Sequence, residues 1–164
     1  MKRLLMVFVV GLCTVSLFAA GAKEGQSSAP AVKVDLTCGS VDAVGTVGDR
    51  TVNYMAEFLK EKSGGNITMK SFPANQLGQP PDMIEQTSVG ALDIVWVDIS
   101  NYGPIVKDYN IFGMGYVFRD QEHVRKFLES PDYKRMTDEL KSAKGLLTIA
   151  SGAHRPPRDV FSKK

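Results

Sequence analysis

The apolar run ALDIVWV, residues 91–97, constrains the fold of this chain more than any other feature. A strand that is nearly all apolar is expected where helices cover both faces of a sheet, as they do in parallel α/β sheets. A short predicted helix, PDMIEQTSV, precedes the run and ends at Gly90. Pro80 and Pro81 fit its first turn, where the missing N–H would have no partner. Together the two segments predict helices packed against a largely parallel sheet.

The same alternation of elements continues through the chain. Alternating or β-branched apolar residues predict strands over residues 32–39, 66–72 and 146–150. Apolar spacings of three and four predict helices over about residues 46–62, 121–130 and 131–144. The resulting order β-α-β-α-β-α-α-β implies an α/β fold with a mostly parallel sheet.

Capping residues mark the ends of the last two predicted helices. Asp120 and Ser130 are suited to the N-cap, where a side-chain oxygen accepts from a free backbone N–H. Gly145 suits the C-terminal end, because glycine tolerates the left-handed conformation. The inward face of the second of these helices is predicted to comprise Tyr133, Met136 and Leu140.

The N-terminus has the organisation of an export signal. Lys2 and Arg3 precede a long apolar run, and small residues at 20–22 fit a cleavage site, so we predict a signal peptide over residues 1–22. A membrane anchor is the alternative, since the run lies at the lower edge of what spans a bilayer. A lipid anchor has little support because Cys13 lies inside the apolar run. Residues 23–31 are expected to be a flexible leader, and residues 32–164 one domain in the periplasm.

Charge and cysteine content exclude several classes of function. The formal net charge is +2, and the charges are interspersed rather than clustered, so we predict no nucleic-acid partner. Cys38 is the one cysteine left after removal of the signal peptide and is expected to be a buried structural thiol. His123 and His154 are far apart, and no Cys/His group has metal-ligand spacing. We predict neither a metal nor a cofactor.

Polar residues follow three of the predicted strands, at the edge where α/β sheets bind ligands. Ser40, Asp98 and Arg158 are the candidate ligand-binding residues. Arg158 would be the anchor, because a guanidinium matches a carboxylate in a two-toothed geometry. The alternatives are a loop hydroxyl at Ser40, a turn-forming Asp98 and a solvated surface charge at Arg158.

Other side chains of catalytic or aromatic type have simpler explanations. Trp96 is expected to pack in the core, with stacking on a ligand as the alternative, and Tyr116 and Phe118 are expected in the core beneath their loop. His154 lacks a paired nucleophile or carboxylate motif. Asp82 and Glu85 are first-turn and solvent-facing charges rather than an acid/base pair. The sequence therefore favours a binding protein over an enzyme.

One long stretch carries a family resemblance. The segment KSGGNITMKSFPANQLGQPPDMIEQTSVGALDIVWVDIS, followed by FGMGYVFRDQEH, contains a Gly-Gly turn, QLG, GALD and an aromatic-Arg-Asp-x-x-His element at matching spacing. It resembles the solute-binding subunit of tripartite ATP-independent periplasmic (TRAP) transporters, of the dicarboxylate-binding DctP type. The resemblance extends over about residues 32–164.

The resemblance implies a fold, a function and partners. The fold would be one lobe of a type II periplasmic binding protein, which would capture a small organic anion for a TRAP membrane permease driven by an ion gradient. Arg158 corresponds to a family arginine that contacts the ligand carboxylate. Asp98 and Ser40 correspond to polar contacts after the third and first strands. A sensory ligand-binding module and a secreted enzyme are the alternatives.

The chain departs from the family pattern in two places. Gly115 stands where the family usually has proline. Family members are about twice as long, and an arginine that clamps the ligand carboxylate lies some twenty residues beyond Arg158. The second lobe would thus be largely missing, and we expect the sequence to be a fragment that binds ligand weakly on its own.

Overall fold

The computed structural model describes residues 33–151, which contain a small parallel sheet with helices packed against it. The strands are β1 (Val34–Ser40), β2 (Ile67–Phe72) and β3 (Ile94–Trp96), and the helices are α1 (Val47–Lys62), α2 (Pro80–Ser88), α3 (Gln121–Leu128) and α4 (Pro131–Lys144). Two 3-10 helices, Ile99–Tyr102 and Lys107–Gly113, connect β3 to α3. The predicted signal peptide, the leader and Arg158 lie outside the described residues.

The sheet has the order β2-β1-β3, and β1 pairs in parallel with both neighbours. The register places Gly39 beside Phe72 on one side and beside Val95 on the other. The consecutive βαβ units therefore lie in one sheet, as the order of elements predicts. The predicted α/β class with a mostly parallel sheet is confirmed.

Local capping chemistry determines the helix ends. The Thr46 side chain accepts from Asp49 N at the start of α1, and the Asp120 carboxylate accepts from His123 N at 2.7 Å. Ser130 accepts from Tyr133 N at 3.2 Å, and Gly145 ends α4 at a φ of 68°. The predictions for Asp120, Ser130 and Gly145 are confirmed, because caps depend on neighbours a few residues apart in the chain.

The main buried cluster joins α4 to the segment that follows β3. This cluster comprises Ile84, Val106, Tyr109, Tyr133, Met136, Leu140 and Leu146, with Val95 and Val97 packed against it. The predicted inward face of α4 is confirmed. In α1, Val52 is fully buried, and Met55, Ala56 and Leu59, at the helical spacing that places them on the same face, are partly buried.

Two sequence predictions are wrong. Residues 146–150 form no strand within the described chain. Leu146 is buried, but Leu147 and Ile149 are 69% and 66% exposed. The apolar pattern therefore indicated a tendency to be buried, whereas a strand also needs a hydrogen-bonding neighbour.

Tyr116 is 98% exposed at a φ of 63°, so the prediction that it lies in the core is wrong. Phe118, predicted with it, does pack on Phe112 and Phe127.

Candidate functional site

The carboxyl ends of the parallel strands meet at one edge of the sheet, which we call the carboxyl edge. Ser40 ends β1 and pairs with Trp96, which ends β3. Asp42 and Asn75 follow β1 and β2, and Asp98 follows β3. Up to 58 positions separate these residues in the chain. Parallel pairing nevertheless brings them together, because Ser40 lies beside Trp96 and Asp98 follows Trp96 by two residues.

Asp42 is held at this edge by two neighbours. Its Oδ2 accepts a hydrogen bond from Trp96 Nε1 at 2.9 Å. Its backbone N–H donates to Ser40 Oγ at 3.1 Å, and the Ser40 hydroxyl lies 3.5 Å from Asp42 Oδ2. Ser40 is completely buried, so its hydroxyl serves to hold the loop after β1. Trp96 is only partly buried and is not part of the buried cluster described above, so its observed role is this polar contact and its expected core packing stays a prediction.

The start of α1 provides the space for the Asp42 carboxylate. A Cβ atom at Gly48 would lie 2.1 Å from Asp42 Oδ2 and 2.6 Å from Asp42 Oδ1. No side chain larger than hydrogen fits there without moving the carboxylate. The positive end of the helix dipole favours a negative charge at this position. Gly48 therefore allows an acid to lie against the helix N-terminus.

The turn after β2 adds a strained pair of residues to the carboxyl edge. Ala74 and Asn75 have φ angles of 54° and 57°, a conformation that non-glycine residues adopt rarely. The backbone explains why it is held: Asn75 N donates to Ser40 O at 3.0 Å, and Ala74 N donates to Asp42 O at 2.8 Å. The Asn75 Oδ1 atom is buried and has no hydrogen-bond partner among the described residues.

Asp98 caps the first 3-10 helix. Its Oδ1 accepts from Ser100 N at 2.9 Å and also from the Ser100 hydroxyl. The turn-forming interpretation of Asp98 is thus observed, and contact with a ligand stays a prediction. Of the three predicted site residues, the structure places Ser40 and Asp98 at the same edge, while Arg158 lies beyond residue 151.

Sequence reasoning missed Asp42 and Asn75. Both lie in loops whose glycine, proline and polar content indicates only a turn. The available signal was their position three residues after a predicted strand. The contact between Asp42 and Trp96 depends on strand pairing over 54 residues, which local patterns do not contain.

Two of the three residues considered for catalysis have structural roles, and the third, His154, lies outside the described residues. Asp82 accepts from Gln79 N at 3.0 Å at the start of α2, and Glu85 pairs with Lys144 at 2.7 Å. They are not arranged as an acid/base pair, in agreement with the sequence analysis.

Within residues 33–151 there is no group of His, Cys, Asp or Glu that could hold a metal ion. In the same range, no helix has the length and apolar content needed to cross a membrane.

A parallel sheet with polar groups collected at its carboxyl edge is typical of α/β ligand-binding domains. Residues 39–155 match the family described as "Bacterial extracellular solute-binding protein, family 7", or DctP. Because this match extends over more than half of the chain, the chain belongs to the DctP family of bacterial extracellular solute-binding proteins. The resemblance inferred from QLG, GALD and the later elements is confirmed.

Three relatives illustrate the similarity. The sialic acid-binding periplasmic protein SiaP of Vibrio cholerae is 27% identical over 127 residues, which are 77% of this chain and 38% of that protein. A TRAP periplasmic solute-binding protein from Pseudomonas putida, solved with bound D-glucuronate, is 30% identical with a TM-score of 0.58, covering 66% of this chain and 35% of that chain. The corresponding protein from Citrobacter koseri, also with bound D-glucuronate, is 32% identical with a TM-score of 0.58, covering 65% and 36%.

The chain therefore spans little more than a third of the length of these relatives. The described sheet and helices correspond to one lobe of such a protein. The family consists of solute-binding proteins and not of enzymes, in agreement with the function class that the sequence favours.

Proposed function

We propose that this chain is part of the extracytoplasmic solute-binding subunit of a TRAP transporter, and that the protein captures a small organic acid without catalysing a reaction. The observation that carries the proposal is the carboxyl edge of a DctP-family sheet, where Ser40, Asp42 and Asp98 gather at the ends of β1 and β3. The ligands of the two solved relatives, both D-glucuronate, support a carboxylate as the solute.

The partner would be the TRAP membrane permease, which receives the solute from the binding protein. Residues 1–22 would direct export and residues 23–31 would link the signal to the domain of residues 32–164, so that the protein acts in the periplasm. N-terminal sequencing of the exported protein tests this: a first residue at position 23 is expected, and retention of residues 1–22 would contradict cleavage.

A thermal-shift screen tests the ligand class. The product of the complete reading frame that contains this chain is heated with organic acids, neutral sugars and peptides. A bound ligand stabilises the native state by RT ln(1 + [L]/Kd), about 2.7 kcal/mol at a hundredfold excess over Kd. We expect at least one carboxylate to raise the midpoint. A shift with a neutral sugar or a peptide and with no carboxylate would overturn the proposal.

The same protein tests the proposed anchor. Arg158→Lys keeps the positive charge but removes the two-toothed guanidinium geometry. We expect the affinity for the carboxylate to fall about tenfold or more, because hydrogen bonds to charged groups are worth about 1.5–3 kcal/mol. Isothermal titration measures the change, and an unchanged affinity would remove Arg158 from the site. Lys164→Arg is the control, since it changes a nearby charge of the same sign.

A further inference from the structure

Asp42 presents one carboxylate oxygen that no other group among residues 33–151 uses. Its Oδ2 accepts from Trp96 Nε1 at 2.9 Å, whereas its Oδ1 receives no hydrogen bond from any residue between 33 and 151. Within that range Asp42 also forms no ion pair. The side chain is only partly buried. Asp42 is therefore a fixed hydrogen-bond acceptor with a free oxygen at the carboxyl edge.

The neighbouring polar groups at the carboxyl edge are also acceptors. Asn75 Oδ1 is buried with no donor among residues 33–151, and its backbone is bonded to Ser40, next to Asp42. Asp98 carries a second carboxylate beyond β3. The indole N–H of Trp96 is already used by Asp42. Asp42 is the partly exposed member of this set with an oxygen that accepts no hydrogen bond from residues 33–151, so it suits a ligand that brings donors.

The charge of the edge argues against a second ligand carboxylate here. A ligand carboxylate close to Asp42 would meet a like charge, because the Asp42 carboxylate already lies against the positive end of α1. A ligand hydroxyl can donate to Asp42 Oδ1 with a charge-assisted hydrogen bond. The carboxylate of the ligand would therefore lie away from Asp42, and its hydroxyl groups would lie against the edge.

We propose that Asp42 is a specificity-determining residue that selects hydroxylated monocarboxylates, such as sugar acids, over short dicarboxylates. This rests on the proposed function, since it assigns the substrate class of the same site. Trp96 acts as a positioning residue, because its indole N–H orients the Asp42 carboxylate. Discrimination arises from both the added hydrogen bond and the repulsion of the wrong ligand.

The experiment measures affinity by isothermal titration, using the product of the complete reading frame. The probes are D-glucuronate, D-galacturonate and L-galactonate as hydroxylated monocarboxylates, and succinate and fumarate as dicarboxylates without hydroxyl groups. We expect one of the first set to bind at least tenfold more tightly than both dicarboxylates. Tighter binding of succinate or fumarate would overturn the inference while leaving the carboxylate proposal intact. Absence of binding by all three hydroxylated probes would also overturn the inference, whereas the carboxylate proposal is decided by the wider thermal-shift screen.

Variants then assign the preference to Asp42. Asp42→Asn keeps the shape and removes the charge, and we expect it to weaken binding of the preferred hydroxylated probe roughly tenfold to hundredfold. Binding of succinate should stay unchanged or improve, because a like charge is removed. A merely structural role would weaken both classes equally, and that result would overturn the inference, as would an unchanged preference. Circular dichroism and the unfolding midpoint confirm that the variant folds.

Two further variants serve as controls. Asp35→Asn removes an acid from the opposite, amino-terminal end of β1 and should leave the preference unchanged. Trp96→Phe keeps an aromatic ring but removes the donor to Asp42, and it should reduce the preference for the hydroxylated probe by a smaller factor than Asp42→Asn. If Trp96→Phe keeps the parent protein's preference for the hydroxylated probe over the dicarboxylates, the positioning role is contradicted.

Discussion

Asp93 shows how one side chain can set the alignment of two strands. Its Oδ2 accepts from Thr37 N at 2.8 Å and from Thr37 Oγ1 at 2.7 Å, while Asp93 N lies 3.3 Å from Thr37 Oγ1 as a donor. The Asp93 carboxylate thus accepts the backbone N–H of Thr37, as a carbonyl of a paired strand would do. This contact lies one residue before the first β1–β3 pair, Cys38 with Ile94. These hydrogen bonds lower the pKa of Asp93 below its ordinary value of 3.8. The register that brings Trp96 to Asp42 starts at this contact.

The residue-scale prediction follows from the direction of the pKa shift. A carboxyl group whose folded pKa is depressed adds stability above its unfolded pKa, and this is lost as the pH falls through the folded pKa. We expect Asp93→Ala to lower the free energy of unfolding by only about 1 kcal/mol at pH 7, because the group is exposed and screened. The difference from the parent chain should shrink below pH 3.8.

Urea denaturation at pH values from 7 to 3 measures this difference. Asp93→Asn is the matched control, since it keeps an acceptor oxygen and removes the titrating group; its cost should be smaller than that of Asp93→Ala. A constant difference between Asp93→Ala and the parent chain over the whole range would show that the charge of Asp93 does not contribute.

At the scale of elements, the contact between β1 and α2 depends on a position without a side chain. A Cβ atom at Gly39 would lie 2.8 Å from Met83 Sδ and 3.1 Å from Leu92 Cδ2. Met83 is completely buried and Leu92 almost so, which leaves them little room to move. Gly39 thereby allows the sheet to approach the helix layer, and this approach supports the carboxyl edge one residue further on.

We therefore expect Gly39→Ala to destabilise the protein by about 1–3 kcal/mol, the usual cost of overpacking a core. Gly115→Ala is the matched control, because a Cβ atom there would have no neighbour within 4 Å. The midpoints of denaturant unfolding compare the two variants. Equal midpoints for Gly39→Ala and Gly115→Ala would contradict the close approach.

At the scale of the whole molecule, the described chain leaves apolar side chains uncovered. Val47 and Tyr54 on α1 and Leu147 and Ile149 after α4 are each at least 66% exposed. The chain spans 38% or less of the length of the relatives described above. Asp42 and Asp98 at the carboxyl edge are partly exposed in the described residues. Charged contacts that water reaches are weakened by solvent and salt.

The whole-molecule prediction is that residues 23–164 alone bind D-glucuronate at least a hundredfold more weakly than the product of the complete reading frame that contains them. Isothermal titration of the two proteins measures the ratio. Sedimentation of the isolated chain should show self-association that increases with concentration, because exposed apolar surface favours it. Equal affinities would contradict the view that the carboxyl edge needs a covering partner.

The order of helices and strands up to α4, the caps of α3 and α4, and the family were determined by the sequence alone. They depend on neighbours within a few residues, such as Ser130 with Tyr133 N, or on motifs of fixed spacing such as QLG and GALD. The carboxyl edge was also predictable in outline, because the ends of parallel strands meet wherever the order of elements is known.

Only the tertiary structure decided which side chains meet there. Three features arise from pairing and packing between distant segments: the contact of Trp96 with Asp42, the burial of Asn75 Oδ1 with no donor among the described residues, and the exposure of Tyr116. Residues 146–150 are a second example. Their apolar pattern indicates burial, and Leu146 is buried, but the pattern cannot provide the neighbouring strand that a sheet needs. Local sequence sets what a segment prefers, and long-range contacts determine what it touches.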